Sequence, residues 1–195
     1  MKWITLIVVA ATLAAAGLAP GTLQAQEGQE QRAEQHPSAF LQKLVGEWSV
    51  TTYAVMDPDQ DPYRFEGRET GRMLGRQWFV SEFYSEVEGV VIESILTIGY
   101  DPAKEKFVAS YANSNQPMLW TYEGTLNDEG TKLTLKTEGP FMGDPDQTAE
   151  YRVVIERKDA DHWTMGSQIQ VPDEEEWFEF LSFVYEREKG DEATE

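Results

Sequence analysis

The sequence predicts an all-β protein, an up-and-down antiparallel barrel of about ten strands with a short N-terminal helix closing one end. Three observations lead there. From Gly46 onward the chain is β-branched and aromatic, with no helical spacing of its apolar residues. Turn chemistry punctuates it at regular intervals: Gly75-Arg76, Glu88-Gly89, Asp101-Pro102, Asn115-Gln116-Pro117, Asn127 to Gly130, Met142-Gly143-Asp144, Lys158 to Asp161 and Pro172-Asp173. Within the strands so delimited, large residues alternate. Trp48, Val50, Ala54 and Met56 share one parity, as do Trp120, Tyr122 and Leu126, and Tyr151, Val153 and Ile155. A flat sheet of that size exposes two edges and an apolar face, and closing it removes both problems.

Taken in order, residues 1–25 read as a signal peptide. Lys2 is followed by an apolar run from Ile4 to Ala19, too short to cross a bilayer, then by Pro20-Gly21 and a cleavage-like Leu23-Gln24-Ala25. No Cys follows, so a lipid anchor has no attachment point, and the expected location is periplasmic or extracellular. Residues 26–36 are a polar leader, 37–188 the barrel domain and 189–195 an acidic tail, neither flank having apolar surface to bury. Ser38 reads as an N-cap, with Phe40, Leu41 and Leu44 spaced for one or two helical turns. Strands are expected near 46 to 56, 63 to 73, 77 to 87, 90 to 100, 106 to 113, 118 to 127, 131 to 138, 147 to 157, 162 to 171 and 176 to 187. Gly67 and Gly71 repeat within the second, where a missing side chain lets a strand bend.

Composition narrows the chemistry. Lys and Arg number 16 against 35 Asp and Glu, a formal charge of −19, which repels nucleic acid and anionic lipid alike. With no Cys there are no disulfides, thiolate metal sites or Cys nucleophiles. The two histidines are His36, beside the leader, and His162, at a hairpin edge, and no G-x-S-x-G elbow is present. Asp57-Pro58-Asp59-Gln60-Asp61 opens like a calcium loop, but Pro62 stands where Gly is needed and Arg68 where Glu is needed. No metal site and no cofactor is assigned.

The remaining constellation is aromatic. Trp78, Tyr84, Tyr111, Trp120, Tyr122 and Trp163 lie on strands around the barrel, with Glu82, Asn113 and Gln168 as scattered polar groups. Aromatic walls with a few fixed hydrogen-bonding groups describe a pocket for a small hydrophobic or amphipathic molecule. Glu82 shares its parity with Trp78, Val80 and Tyr84, and if that parity faces inward it is a buried carboxylate able to act as a base with Tyr84 or Tyr111. A small-molecule hydrolase or isomerase then becomes the alternative. A third reading is an interaction scaffold whose interior is filled. Arg64, Arg68 and Arg72 share one strand face, expected to meet water because a buried unpaired Arg is costly.

Gly46-Glu47-Trp48, after a short helix and opening the first strand, resembles the G-x-W start of lipocalin-like (calycin) barrels. The resemblance implies that Trp48 packs across the closed end and that Arg187, on the last strand, lies against it. Leu44-Val45-Gly46-Glu47-Trp48, Leu74-Gly75-Arg76-Gln77-Trp78-Phe79-Val80, Ile98-Gly99-Tyr100-Asp101, Tyr122-Glu123-Gly124-Thr125 and Tyr185-Glu186-Arg187 are similar to successive motifs of a bacterial family known as domain of unknown function 1579. That similarity runs from about Phe40 to Arg187. It implies a lipocalin-like ten-stranded barrel and no established activity. The haem-binding nitrobindin-like barrels are another calycin branch, and they need a His at the barrel mouth.

Overall fold

The structure is a computed structural model that describes residues 37–55, 59–141, 143–171 and 175–189. The segments read as signal peptide and leader, and the tail beyond Lys189, lie outside the described residues.

One helical turn and a half, α1 (Ser38–Gln42), precedes ten strands: β1 (Gly46–Ala54), β2 (Tyr63–Leu74), β3 (Trp78–Val87), β4 (Val90–Asp101), β5 (Lys106–Asn113), β6 (Leu119–Leu126), β7 (Lys132–Phe141), β8 (Asp144–Arg157), β9 (His162–Gln170) and β10 (Trp177–Arg187). Each pairs antiparallel with its sequence neighbours, and β10 returns to β1 to close the barrel. The closing register sets Trp48 opposite Arg187, Val50 opposite Tyr185 and Thr52 opposite Phe183.

Two local expectations need correction. Pro37, not Ser38, occupies the N-cap position of α1, without a side-chain hydrogen bond, and Ser38 is buried inside the first turn. The β7–β8 hairpin is also longer than the turn residues suggested: β7 runs on to Phe141 and β8 starts at Asp144, with a register shift between Pro140 and Phe141. A strand containing Pro140 is tolerated because the ladder between β6 and β7 ends at Glu123 opposite Lys136. Beyond that point β7 has a hydrogen-bonded neighbour on one side only, where a missing N–H costs little.

That short ladder leaves a seam. Residues 119–122 of β6 and 137–141 of β7 pair outward with β5 and β8 but not with each other.

The main core fills the end covered by α1. Phe40, Leu41 and Leu44 drop onto Trp48, Phe79, Ile98, Leu133, Ile155, Trp163 and Tyr185, all fully or nearly fully buried. A second, smaller cluster at the opposite end gathers Ala149, Tyr151 and Ile169 against Trp120, Phe141, Phe178 and Phe180.

Candidate functional site

The closed end is built around Trp48. Its indole N–H donates to Leu44 O at 3.0 Å, tying the strand to the turn that follows α1. The Arg187 guanidinium lies over the same ring, 4.1 Å from its centroid, and donates to Val45 O at 3.1 Å and, through Nε and Nη2, to Ala160 O at 3.2 and 3.0 Å. One cation therefore joins the start of the barrel, its last strand and the β8–β9 turn. Gly46 is required here: its φ is 144°, and a Cβ would run into the guanidinium. Trp163 completes the cluster, stacked on Tyr185 with ring centroids 3.4 Å apart and edge-on to Trp48 at 5.9 Å. At 1 % exposure it is core at the closed end and does not line a pocket.

The parity of β3 is opposite to the one that made Glu82 a candidate base. Phe79, Ser81, Phe83 and Ser85 face inward and are buried, whereas Trp78 and Glu82 are exposed and Tyr84 is half-buried on the outer surface. Both faces of this strand carry aromatic residues, so alternation alone does not choose between them. The outer ones have their own partners. The Trp78 ring fills the space above Gly99, and Arg68 sits 4.5 Å over the Tyr84 ring. Arg64, Arg68 and Arg72 all face solvent. Glu82 thus has no access to the interior, and the acid/base reading built on it is withdrawn.

With the arginines outside, the intervening residue Glu69 points in. It is 4 % exposed, and burial raises its pKa to about 7, against the opposing effect of hydrogen bonding to Ser81 and Tyr185. The Tyr185 hydroxyl donates to Glu69 Oε2 at 3.1 Å, while Oε1 makes no hydrogen bond. Gly67 and Gly71 flank it for a steric reason: a Cβ at either would lie 2.6 or 2.7 Å from the Phe83 or Phe79 ring, so the two rings occupy the space the glycines vacate. Sequence reading missed Glu69, although the outward placement of the neighbouring arginines already implied it.

Toward the other end the interior opens into a cavity of about 360 Å³. Leu96, Leu135, Val153, Met165, Leu181 and Phe183 line it from the main core, and Phe141 and Phe180 from the smaller cluster. Phe180 and Leu181 reach it together because β10 carries a register shift between Glu179 and Leu181, which re-aims consecutive side chains. Trp120 stands between, edge-on to Tyr151 at 5.1 Å, its indole N–H donating to Gln116 Oε1 at 3.2 Å in the β5–β6 loop. Gly139 leaves room for that indole across the seam. Tyr122 lines both the cavity and the outer groove along the seam.

The cavity's polar groups are few and neutral. Tyr111 accepts a hydrogen bond from Asn113 Nδ2 at 3.0 Å, and Asn113 Oδ1 accepts from the Asn115 backbone N–H at 2.7 Å. The Tyr151 hydroxyl is committed to Pro140 O at 2.6 Å. The Tyr122 hydroxyl makes no hydrogen bond to any described residue, and burial holds its pKa well above the ordinary phenol value. Among the described residues no charged side chain lines the cavity, and no cluster of metal-ligating side chains occurs. His162 lies outside at the closed-end turn, its Nδ1 2.8 Å from Asp159 Oδ1, and so offers no ligand at the mouth. His36 lies outside the described residues.

Over residues 33–187 the sequence matches the family described as "Protein of unknown function (DUF1579)". The chain belongs to that family. Among curated proteins, none matches the sequence. Solved structures align with the chain at low identity. Rv2717c from M. tuberculosis aligns with a TM-score of 0.53 at 12% identity, covering 78% of this chain and 98% of its own. A redesigned β-barrel aligns at 0.40 and 10% identity, covering 76% and 95%. The structure of EF1p2_mFAP2b bound to DFHBI aligns at 0.43 and 10% identity, covering 78% and 100%. The closed ten-stranded barrel is consistent with the lipocalin-like architecture.

Within this DUF1579 barrel the nine residues singled out as pocket-forming separate into three groups. Tyr111, Asn113, Trp120 and Tyr122 come together on the cavity wall. Trp163 belongs to the closed end, and Trp78, Glu82 and Tyr84 to the outer surface. Gln168 is also outside, bonded to Arg152 and Glu179. Tyr151, Phe180, Leu181 and Phe183 were missed as wall residues. The first shares its parity with Val153 and was legible, whereas the bulge that turns Phe180 and Leu181 inward leaves no signature in the alternation.

Proposed function

We propose that this protein binds a small apolar or amphipathic molecule in the cavity between its two aromatic clusters. The observation that carries this reading is the cavity itself, of about 360 Å³, walled by apolar and aromatic side chains with a few neutral hydrogen-bonding groups. Ligand sites generally combine those properties, in volumes of roughly 300 to 1,000 Å³. The scaffold reading needs a filled interior, and this one is open. The enzyme reading needs a base in the cavity, and neither Glu82 nor Glu69 lines it. Export before binding is part of the proposal and rests on the sequence of residues 1–25.

Titration with 1-aminoanthracene, a neutral apolar fluorophore, tests the reading. Dye emission should rise and saturate at one equivalent, with Trp120 emission quenched in parallel. Val153→Trp, which puts an indole into the cavity, should abolish the response while the variant still melts cooperatively. Equal dye binding by a folded Val153→Trp would contradict a ligand seated here.

A further inference from the structure

The wall of the cavity also restricts which molecules it suits. Two phenols, Tyr111 and Tyr122, are diagonal neighbours on the inner face of β5 and β6, since Tyr111 pairs with Trp120 and Tyr122 with Ala109. The direction of the hydrogen bonds around Tyr111 is fixed from outside. The Asn115 backbone N–H can only donate, so Asn113 Oδ1 must be the acceptor, and Asn113 then presents its Nδ2 hydrogens to Tyr111. The Tyr111 oxygen is thereby used as an acceptor. Its own proton is left to donate, and the residue lines the cavity.

Tyr122 presents a second donor. Its hydroxyl has no partner among the described residues, and a phenol is protonated across the physiological range. Trp120 and Tyr151 cannot compete for the same ligand atom, because their donors are already committed to Gln116 and Pro140. An anionic head would find no cation, since no charged side chain lines the cavity among the described residues. Burying such an unpaired charge is prohibitive.

We infer that the cavity selects a neutral, largely aromatic or alicyclic molecule carrying one carbonyl-type acceptor, seated on the hydroxyls of Tyr111 and Tyr122. This rests on the cavity being a ligand site, as proposed above, and adds to it the class of ligand and the two residues that choose it. Carboxylates of the same size are rejected, and hydrocarbons of the same shape bind more weakly than the ketone.

Three matched probes test it by calorimetry at pH 7.5: 2-acetylnaphthalene, 2-ethylnaphthalene and 2-naphthoate. The ketone should bind about tenfold more tightly than the hydrocarbon, the size expected for one or two buried hydrogen bonds, and the carboxylate more weakly than either. Tyr122→Phe and Tyr111→Phe should each lower ketone affinity about three- to tenfold. Both should leave 2-ethylnaphthalene binding unchanged, which also shows that the variants retain the cavity. Equal affinities for ketone and hydrocarbon, or tightest binding of the carboxylate, would overturn the assignment while leaving the cavity as a ligand site. Failure of all three probes to bind would remove both.

Discussion

Glu69 shows how much a single side chain is governed by its surroundings. The two glycines that flank it on β2 make room for the Phe83 and Phe79 rings, the carboxyl is buried, and its hydrogen bonds come from Ser81 and Tyr185. Its pKa is therefore raised from 4.5 to about 7. A raised carboxyl pKa means that the folded state holds its proton longer than the unfolded chain does. The associated stability is fully present below pH 4.5 and is lost as pH rises to about 7, a difference of about 3 kcal/mol. Glu69→Gln keeps the shape and removes the titration. Relative to that variant, the wild-type protein should lose about 3 kcal/mol between pH 4.5 and pH 8, read from urea denaturation. Parallel stability curves for the two proteins would mean that Glu69 is not buried in this way. Because the overall charge of −19 also responds to pH, the difference between the two proteins carries the information.

At the scale of single elements, the seam between β6 and β7 is the weakest part of the sheet. Residues 119–122 and 137–141 have no ladder between them, while every other neighbouring pair of strands is zipped over most of its length. Amides on those stretches that are turned toward the seam should exchange with solvent at least a hundredfold faster than amides in the β1–β10 ladder, measured by hydrogen exchange with NMR detection. Uniform protection around the barrel would show that the seam is closed in solution. The seam also marks where the sequence stops being legible. Turn residues placed all ten strands to within a few positions, because Gly, Pro, Asn and Asp act locally on the backbone. The facing of β3 was not readable in the same way, since Trp78 and Tyr84 outside are as bulky as Phe79 and Phe83 inside. What settles it is the register with β2, where Glu69 lies opposite Phe83 and Gly71 opposite Ser81. Tyr111, Asn113, Trp120 and Tyr122 could be placed on one wall because β5 and β6 carry their aromatic residues on one face only. The Phe180 and Leu181 wall was not found, because a bulge is a tertiary event.

For the whole molecule, closure depends on the meeting of first and last strands, and Arg187 is the side chain that spans the join. Its contact with the Trp48 ring is of a kind worth about 0.5 to 2 kcal/mol, to which hydrogen bonds from a charged donor to Val45 O and Ala160 O add. Arg187→Met should lower stability by about 2 to 4 kcal/mol in urea denaturation, and Arg187→Lys should fall between the two, keeping the cation but not the forked donors. Wild-type stability in Arg187→Met would show that the join does not need it. A barrel held shut at this end leaves its other end free to enclose the cavity, and the most direct test is to locate a ligand there. In a titration with 2-acetylnaphthalene followed by methyl NMR, shifts should concentrate on Leu96, Leu135, Val153, Met165 and Leu181, with Val91 and Ile95 on the outer face unmoved. Shifts confined to those outer methyls, with the interior set silent, would contradict the account.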